Sequence, residues 1–265
     1  MNIGTAVPSA EELQTVAHHF IHNKTIHENY TVGNFEREAI ARIDTLFQTS
    51  NYVVVVGGSG LYVDALLNGL DSFPEINVQV RQQLVQDLDQ KGIEYLQNLL
   101  KELDFDYHQK LTVENPQTLQ NPQRMLRFLE VCLGSGQPYS SFLKKHQTFR
   151  NFNPVLIGLE ADRKVIYNRI EQRVDLMFKN GLLKEVENLV QYQQLNALQT
   201  VGYKELFQYL KNEITLDFAI SEIKKNTRRY AKRQLTWFKR YENAVWFDFE
   251  TDFEKIIEAI KTKSI

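Results

Sequence analysis

Tyr52-Val53-Val54-Val55-Val56, closed at once by Gly57-Gly58-Ser59-Gly60, is the stretch on which the fold turns. A β-branched run without a polar break is apolar on both faces, the pattern of a strand in a parallel sheet covered by helices on each side. A glycine turn at the carboxyl end of such a strand lies where open α/β sheets place their ligands. Upstream, Phe35, Ala39, Ile43 and Phe47 recur at four-residue spacing between charged residues, which predicts an amphipathic helix over 34–47. Downstream, residues 61–70 read as a second helix that starts at the glycine cluster.

Further along, the character changes. Residues 74–149 are dense in Gln, Asn and Lys, with Leu84, Leu88, Leu96, Leu99, Leu100 and Leu103 in helical stripes and Pro116 and Pro122 as punctuation. They read as a helical insertion, with residues 1–73 and 150–265 as the α/β core on either side. Val155-Leu156-Ile157-Gly158-Leu159 offers a return to the sheet, and Ala244-Val245-Trp246-Phe247 a last strand. Between them, 163–179 predicts a helix stopped at Asn180-Gly181, and 183–192 another.

The chain has 265 residues, 31 Lys and Arg against 33 Asp and Glu, and a single cysteine. It has ample apolar material for a packed core. It lacks any run of about 18 apolar residues that would cross a bilayer. Cys132 alone forms no intramolecular bridge, and the chain shows no basic-then-apolar leader, so a reducing cytoplasm fits. The near-neutral charge is an average of two opposed regions. Residues 224–240 contain eight Lys and Arg and no acid, leaving −10 on the remainder. As a helix, this stretch turns Ile220, Ile223, Thr227, Ala231 and Leu235 to the core. Lys224, Arg228 and Lys232, and separately Lys225, Arg229 and Arg233, then form ridges of like charge at i, i+4 spacing. A polyanion relieves that repulsion, and Tyr230 and Trp237 are placed to stack on bases, so RNA is the expected partner.

Gly57-Gly58-Ser59 offers backbone amides and a hydroxyl to a phosphate, although a Gly-x-x-x-x-Gly-Lys-Ser/Thr loop occurs nowhere in the chain. Arg173, beside the apolar stripe of Ile170, Val174 and Met177, calls for an anionic partner such as a diphosphate. His18, His19 and His22, with His27 nearby, have ligand spacing but no catalytic zinc pattern around them, so no metal site is assigned to side chains. Cys132, between Val131 and Leu133, reads as a small buried hydrophobe.

Six ordered strings then converge on one family. They are Met1-Asn2-Ile3-Gly4-Thr5-Ala6-x-Pro8, His18-His19-Phe20-Ile21, Val56-Gly57-Gly58-Ser59-Gly60-Leu61-Tyr62, Asn121-Pro122-Gln123-Arg124-Met125-Leu126-Arg127-x-Leu129-Glu130, Val201-Gly202-Tyr203-Lys204, and the run from Arg228 to Phe238. In order and spacing they resemble tRNA dimethylallyltransferases over nearly the whole chain. The resemblance implies a P-loop-NTPase-like parallel sheet core with a helical tRNA-binding insertion. It also implies transfer of a dimethylallyl group from dimethylallyl diphosphate to the N6 amine of the adenine beside the anticodon, with Mg²⁺, by a cytoplasmic monomer.

The resemblance also assigns residues. Ser59 stands where the family has threonine and, with Gly57, Gly58 and Arg173, is implied to hold the diphosphate, Ser59 and Arg173 acting in catalysis. Arg81, Gln123, Arg124, Arg127, Gly202, Tyr203, Lys204, Lys232, Arg233, Gln234, Trp237 and Lys239 are implied to contact the tRNA anticodon stem-loop. The family's first strand, phosphate loop and aspartate base precede its equivalent of Met1. The expectation is therefore a core lacking that strand and loop, a chain that starts at an internal methionine, and weak or absent turnover. A non-catalytic tRNA-binding remnant is the alternative; a nucleotide kinase relative using Gly57-Gly58 is a third reading, disfavoured by the missing Lys-Ser/Thr.

Overall fold

The computed structural model describes residues 1–5, 7–143 and 148–263; Ala6 of the first string and residues 144–147 at the end of the expected insertion lie outside the described residues. In chain order the helices are α1 (Ala10–Thr15), α2 (Val32–Leu46), α3 (Gly60–Asn68), α4 (Val78–Leu103), α5 (Phe105–Glu114) and α6 (Pro122–Ser135). After strand β1 (Ile157–Glu160) come α7 (Arg163–Lys179), α8 (Leu182–Glu187), α9 (Tyr203–Leu210), α10 (Leu216–Phe238), strand β2 (Val245–Asp248) and α11 (Phe253–Lys263). The chain divides into two compact units, Met1–Leu67 with Arg150–Ile265, and Asn68–Phe149. Among the described residues no helix is long and apolar enough to cross a membrane.

The first unit is built on helices α7 to α10, which close over Val174, Leu182, Val186, Leu198, Tyr203, Leu206, Phe207, Ala219 and Ile223. Asp162 caps α7 by accepting from the Lys164 amide at 2.7 Å, and Gly181 ends it at φ +96°, a backbone that a side chain disfavours. The helix expected over 183–192 is shorter. Its backbone tightens at Leu189, whose amide reaches the Val186 carbonyl three residues back at 3.0 Å, and a 3₁₀ turn follows at Val190–Tyr192. A smaller cluster of Ala39, Ile43 and Leu66 holds α2 to α3.

The sheet is parallel, as expected, and small. β1 pairs with β2 in the register Ile157 to Val245 through Glu160 to Asp248. Gly158 faces Trp246, where a Cβ would stand 2.5 Å from the indole, so this strand position has room for the ring and no side chain.

Residues 52–56 correct the sequence reading. They form no strand and have no ladder partner among the described residues, and Val54 and Val56 are 84% and 90% exposed. β-Branched side chains favour extended backbone, but a doubly covered strand also needs neighbours on each edge, and β1 takes β2 instead. The expected P-loop-NTPase-like core is thus represented here by a predominantly helical unit with a two-stranded parallel sheet.

The second unit is helical. Its core is Leu84, Leu96, Leu100, Leu111, Leu119, Met125, Leu126, Phe128, Leu129 and Cys132, with Leu88, Leu99 and Leu103 packed around it. Gly92, at φ +79°, breaks the backbone of α4 between its two apolar stripes. Pro122 sits in the first turn of α6, where its missing amide costs nothing. Cys132 is buried as expected, and burial pushes its thiol up.

Candidate functional site

The glycine turn and the end of the basic helix meet in the first unit. Ser59 begins α3, its carbonyl accepting from the Tyr62 and Val63 amides at 3.0 and 3.1 Å, while the residue itself is exposed. The Gly58 carbonyl accepts from the Gln234 side-chain amide at 2.7 Å, and a Cβ on Gly58 would collide with that amide. Gly60 lies against the indole of Trp237, 2.3 Å from where a Cβ would stand. Asp64, one turn into α3, completes the contact. Its carboxylate accepts from Trp237 Nε1 at 3.2 Å and from the Tyr241 hydroxyl, and pairs with Arg240 at 3.4 Å. Arg240 in turn lies 4.2 Å over the Trp237 ring.

Two of the residues expected at the RNA also have packing roles. Trp237 and Gln234 are engaged in holding α3 to α10. Within the basic stretch 224–240 the exposed aromatic is Tyr230, with the Arg233 guanidinium 5.8 Å from its ring. Lys239 is drawn to Glu160 at 3.3 Å and stands over Trp246.

Along α10 the cations fall into two sets. Lys224 pairs with Asp175 at 2.6 Å and Arg228 with Glu171 at 2.9 Å, both acids on α7, while Lys225 pairs with Glu222 on its own helix. The repulsion expected along the ridge is therefore relieved internally over its first half. Lys232 and Arg233 are exposed and meet no acid among the described residues. Arg173, expected near the core face, is exposed one position before buried Val174, and its guanidinium has no described partner.

Gly202, Tyr203 and Lys204 also separate. Tyr203 is fully buried, and its hydroxyl donates to Glu185 at 2.5 Å, so its side chain is unavailable to RNA. Gly202, buried at φ +96°, donates its amide to Glu205 at 2.8 Å, and Glu205 also accepts from Asn226 at 2.8 Å. Lys204 alone of the three is exposed.

In the second unit Glu130 gathers the other candidates. Its carboxylate pairs with Arg81 at 2.8 Å and with Arg127 at 3.6 Å; Arg81 also donates to Gln123 at 3.0 Å, and Arg127 lies 5.0 Å over Phe73. Arg124 donates to the buried Thr118 hydroxyl at 2.8 Å. Asp64 and Glu130 are the residues that sequence reasoning left without a role. Asp64 had one visible signal, as the sole charged side chain of α3.

Among the described residues no three His, Cys, Asp or Glu side chains gather as a metal site. Magnesium coordinated mainly by phosphate oxygens and water needs only one or two protein oxygens, and the exposed Ser59 hydroxyl suits that role.

The sequence model of the IPP transferase family matches residues 1–241. The tRNA dimethylallyltransferase of Flavobacterium johnsoniae is 62% identical over 98% of this chain and 84% of its own length. That of Flavobacterium psychrophilum is 60% identical over 99% and 86%. Among solved structures, the full-length tRNA isopentenylpyrophosphate transferase of Bacillus halodurans aligns with a TM-score of 0.66 at 33% identity, over 98% of this chain and 81% of that one. A eukaryotic dimethylallyltransferase caught acting on tRNA shares the fold, with a TM-score of 0.75 at 22% identity over 98% of this chain and 68% of that one. With a family match across most of its length and curated relatives at 62% and 60% identity, the chain belongs to the IPP transferase family, that of the tRNA dimethylallyltransferases.

Proposed function

We infer that this chain transfers the dimethylallyl group of dimethylallyl diphosphate to tRNA, onto the N6 amine of the adenine beside the anticodon. The observation that carries the reading is the Gln234 to Gly58 hydrogen bond of 2.7 Å, which sets an exposed Ser59 against the second half of the basic helix, where Lys232 and Arg233 meet no acid among the described residues. A phosphate-type donor and an RNA backbone thereby find their binding groups on adjoining elements. The family relationship supports both substrates.

In this reading the Gly57 and Gly58 amides and the Ser59 hydroxyl receive the diphosphate, and Arg173 closes on it with a planar fork. The N6 lone pair attacks C1 of the allyl group, the C1–O bond breaks with its electrons passing to the diphosphate, and N6 gives up a proton to solvent water. Negative charge grows on the leaving diphosphate, which is where the Ser59 and Arg173 donors act. Bound Mg²⁺ supplies further neutralisation of that diphosphate. Lys204, Lys232 and Arg233 meet RNA phosphates, and Arg81, Gln123, Arg124 and Arg127 of the second unit contact the anticodon loop. An unpaired loop base leaves its stack at modest cost, so the adenine can enter the site. A buried free thiol at Cys132 suits the reducing cytoplasm in which tRNA is modified.

The test is incubation of the purified chain with tRNA, Mg²⁺ and labelled dimethylallyl diphosphate, alongside Ser59→Ala. Weak but measurable incorporation of label into tRNA is expected. The variant should lose about a hundredfold in transfer, the scale of one anion-stabilising donor, with RNA affinity kept. RNA binding without transfer by the unaltered chain overturns the transferase reading in favour of a binding protein.

A further inference from the structure

Asp64 sits where the glycine turn and the basic helix meet. On one side it begins the α3 path back to the turn: Ser59 carries the Tyr62 and Val63 amides on its carbonyl, and Asp64 follows directly. On the other side its carboxylate collects Trp237 Nε1, the Tyr241 hydroxyl and the Arg240 guanidinium, all at the C-terminal end of α10. Burial, and then the hydrogen bond to Asp64, push the Tyr241 phenol well above its usual range, so that hydroxyl stays a donor at any physiological pH. The Gln234 to Gly58 bond and the Gly60 to Trp237 contact lie beside this junction. Two elements that are 173 residues apart in sequence are thus joined through one carboxylate.

The geometry points to Asp64 as a positioning residue that fixes the Gly57–Ser59 turn to the RNA-bearing helix, so that docking of RNA on Lys232 and Arg233 orders the turn for the diphosphate. This rests on the transferase reading above. The physical argument is that beyond the Gln234 bond to Gly58 and the Gly60 contact with Trp237, the turn is weakly held. Gly57, Ser59 and Val54 to Val56 are exposed, and such segments open at low free energy unless tied to a packed element. Asp64 supplies that tie, and α10, once loaded with RNA, is the less mobile partner. The effect is a coupling between sites carried by named contacts, and it is reciprocal.

Amide hydrogen exchange at Tyr62 and Val63 reads the tie directly, because both amides are bonded to the Ser59 carbonyl. An anticodon stem-loop RNA, bound to the purified chain, is expected to slow exchange at these two amides about tenfold. Asp64→Ala should bind the RNA within about threefold of the unaltered chain, yet lose that added protection. Tyr241→Phe removes one donor while leaving the carboxylate and the RNA-facing cations in place, and should lose part of it. That second variant carries the test if Asp64→Ala does not fold. Equal RNA-induced protection in the folded variants and the unaltered chain overturns the role of Asp64. Failure of the unaltered chain to bind the RNA instead removes the transferase reading on which the inference stands.

Discussion

Glu185 shows how much one carboxylate organises. It accepts from the amides of Asn2, Ile3 and Gly4 at 2.7, 3.1 and 3.2 Å and from the buried Tyr203 hydroxyl, so the first residues are fastened to α8 and α9 through it. Burial alone would raise its pKa, but these four donors together hold it below the ordinary carboxylate range. A carboxylate with a depressed folded-state pKa adds stability above its unfolded value, about 4.3 for Glu, and loses that contribution as pH falls through the lower folded value. Thermal unfolding followed from pH 7 to pH 3 should therefore show part of the acid loss arising here. Glu185→Gln should cost about 1–2 kcal/mol at pH 7, by weakening charge-assisted hydrogen bonds, and flatten the acid limb of the curve. Parallel pH profiles for the two proteins would place the acid sensitivity elsewhere.

At the scale of elements, α2 and α3 depend on a residue from outside both. Arg150 reaches Glu36 on α2 at 2.6 Å and the Ala65 carbonyl of α3 at 2.8 Å, with both charged side chains largely buried and its Nε without a partner among the described residues. Removing one member of such a pair strands the other charge. Arg150→Ala should cost about 3 kcal/mol in urea unfolding, whereas Arg150→Met combined with Glu36→Leu should cost distinctly less. Additive losses in the double variant would count against a coupled pair. This pairing also shows where the sequence is legible. Period and punctuation alone mark α7 between Asp162 and Gly181, and they mark α2 through Ala39 and Ile43, because those signals are local. Residues 52–56 carry an equally local signal for a strand, but strand formation needs a partner, and partner choice is not written in the run itself. The same distinction holds at the site. Lys232 and Arg233 are legible as a cationic pair. The work of Trp237, Tyr203 and Glu130 depends on contacts with distant residues, so the packing roles of Trp237 and Tyr203 are not visible in the sequence.

Over the whole molecule, a basic helix on an otherwise acidic chain governs how RNA approaches. The remainder carries −10 and repels a polyanion, while attraction is confined to the cations that acids do not already cover. Lys224 and Arg228 have α7 carboxylates at 2.6 and 2.9 Å, so RNA contacting them would displace an existing ion pair and release few further counterions. Lys232 and Arg233 have no such partner among the described residues, and each phosphate they meet releases its condensed cation. The two halves of the helix should therefore differ in the salt dependence of RNA binding, measured as log K against log salt from about 50 to 200 mM. Lys232→Ala and Arg233→Ala should each lower the slope by about 1 and weaken binding across RNA sequences alike. Lys224→Ala and Arg228→Ala should leave the slope unchanged and cost folding stability instead, since each leaves an α7 acid unpaired. A slope that falls equally for all four substitutions would mean that RNA breaks the α7 pairs on binding, and the first half of the helix would then belong to the interface as well.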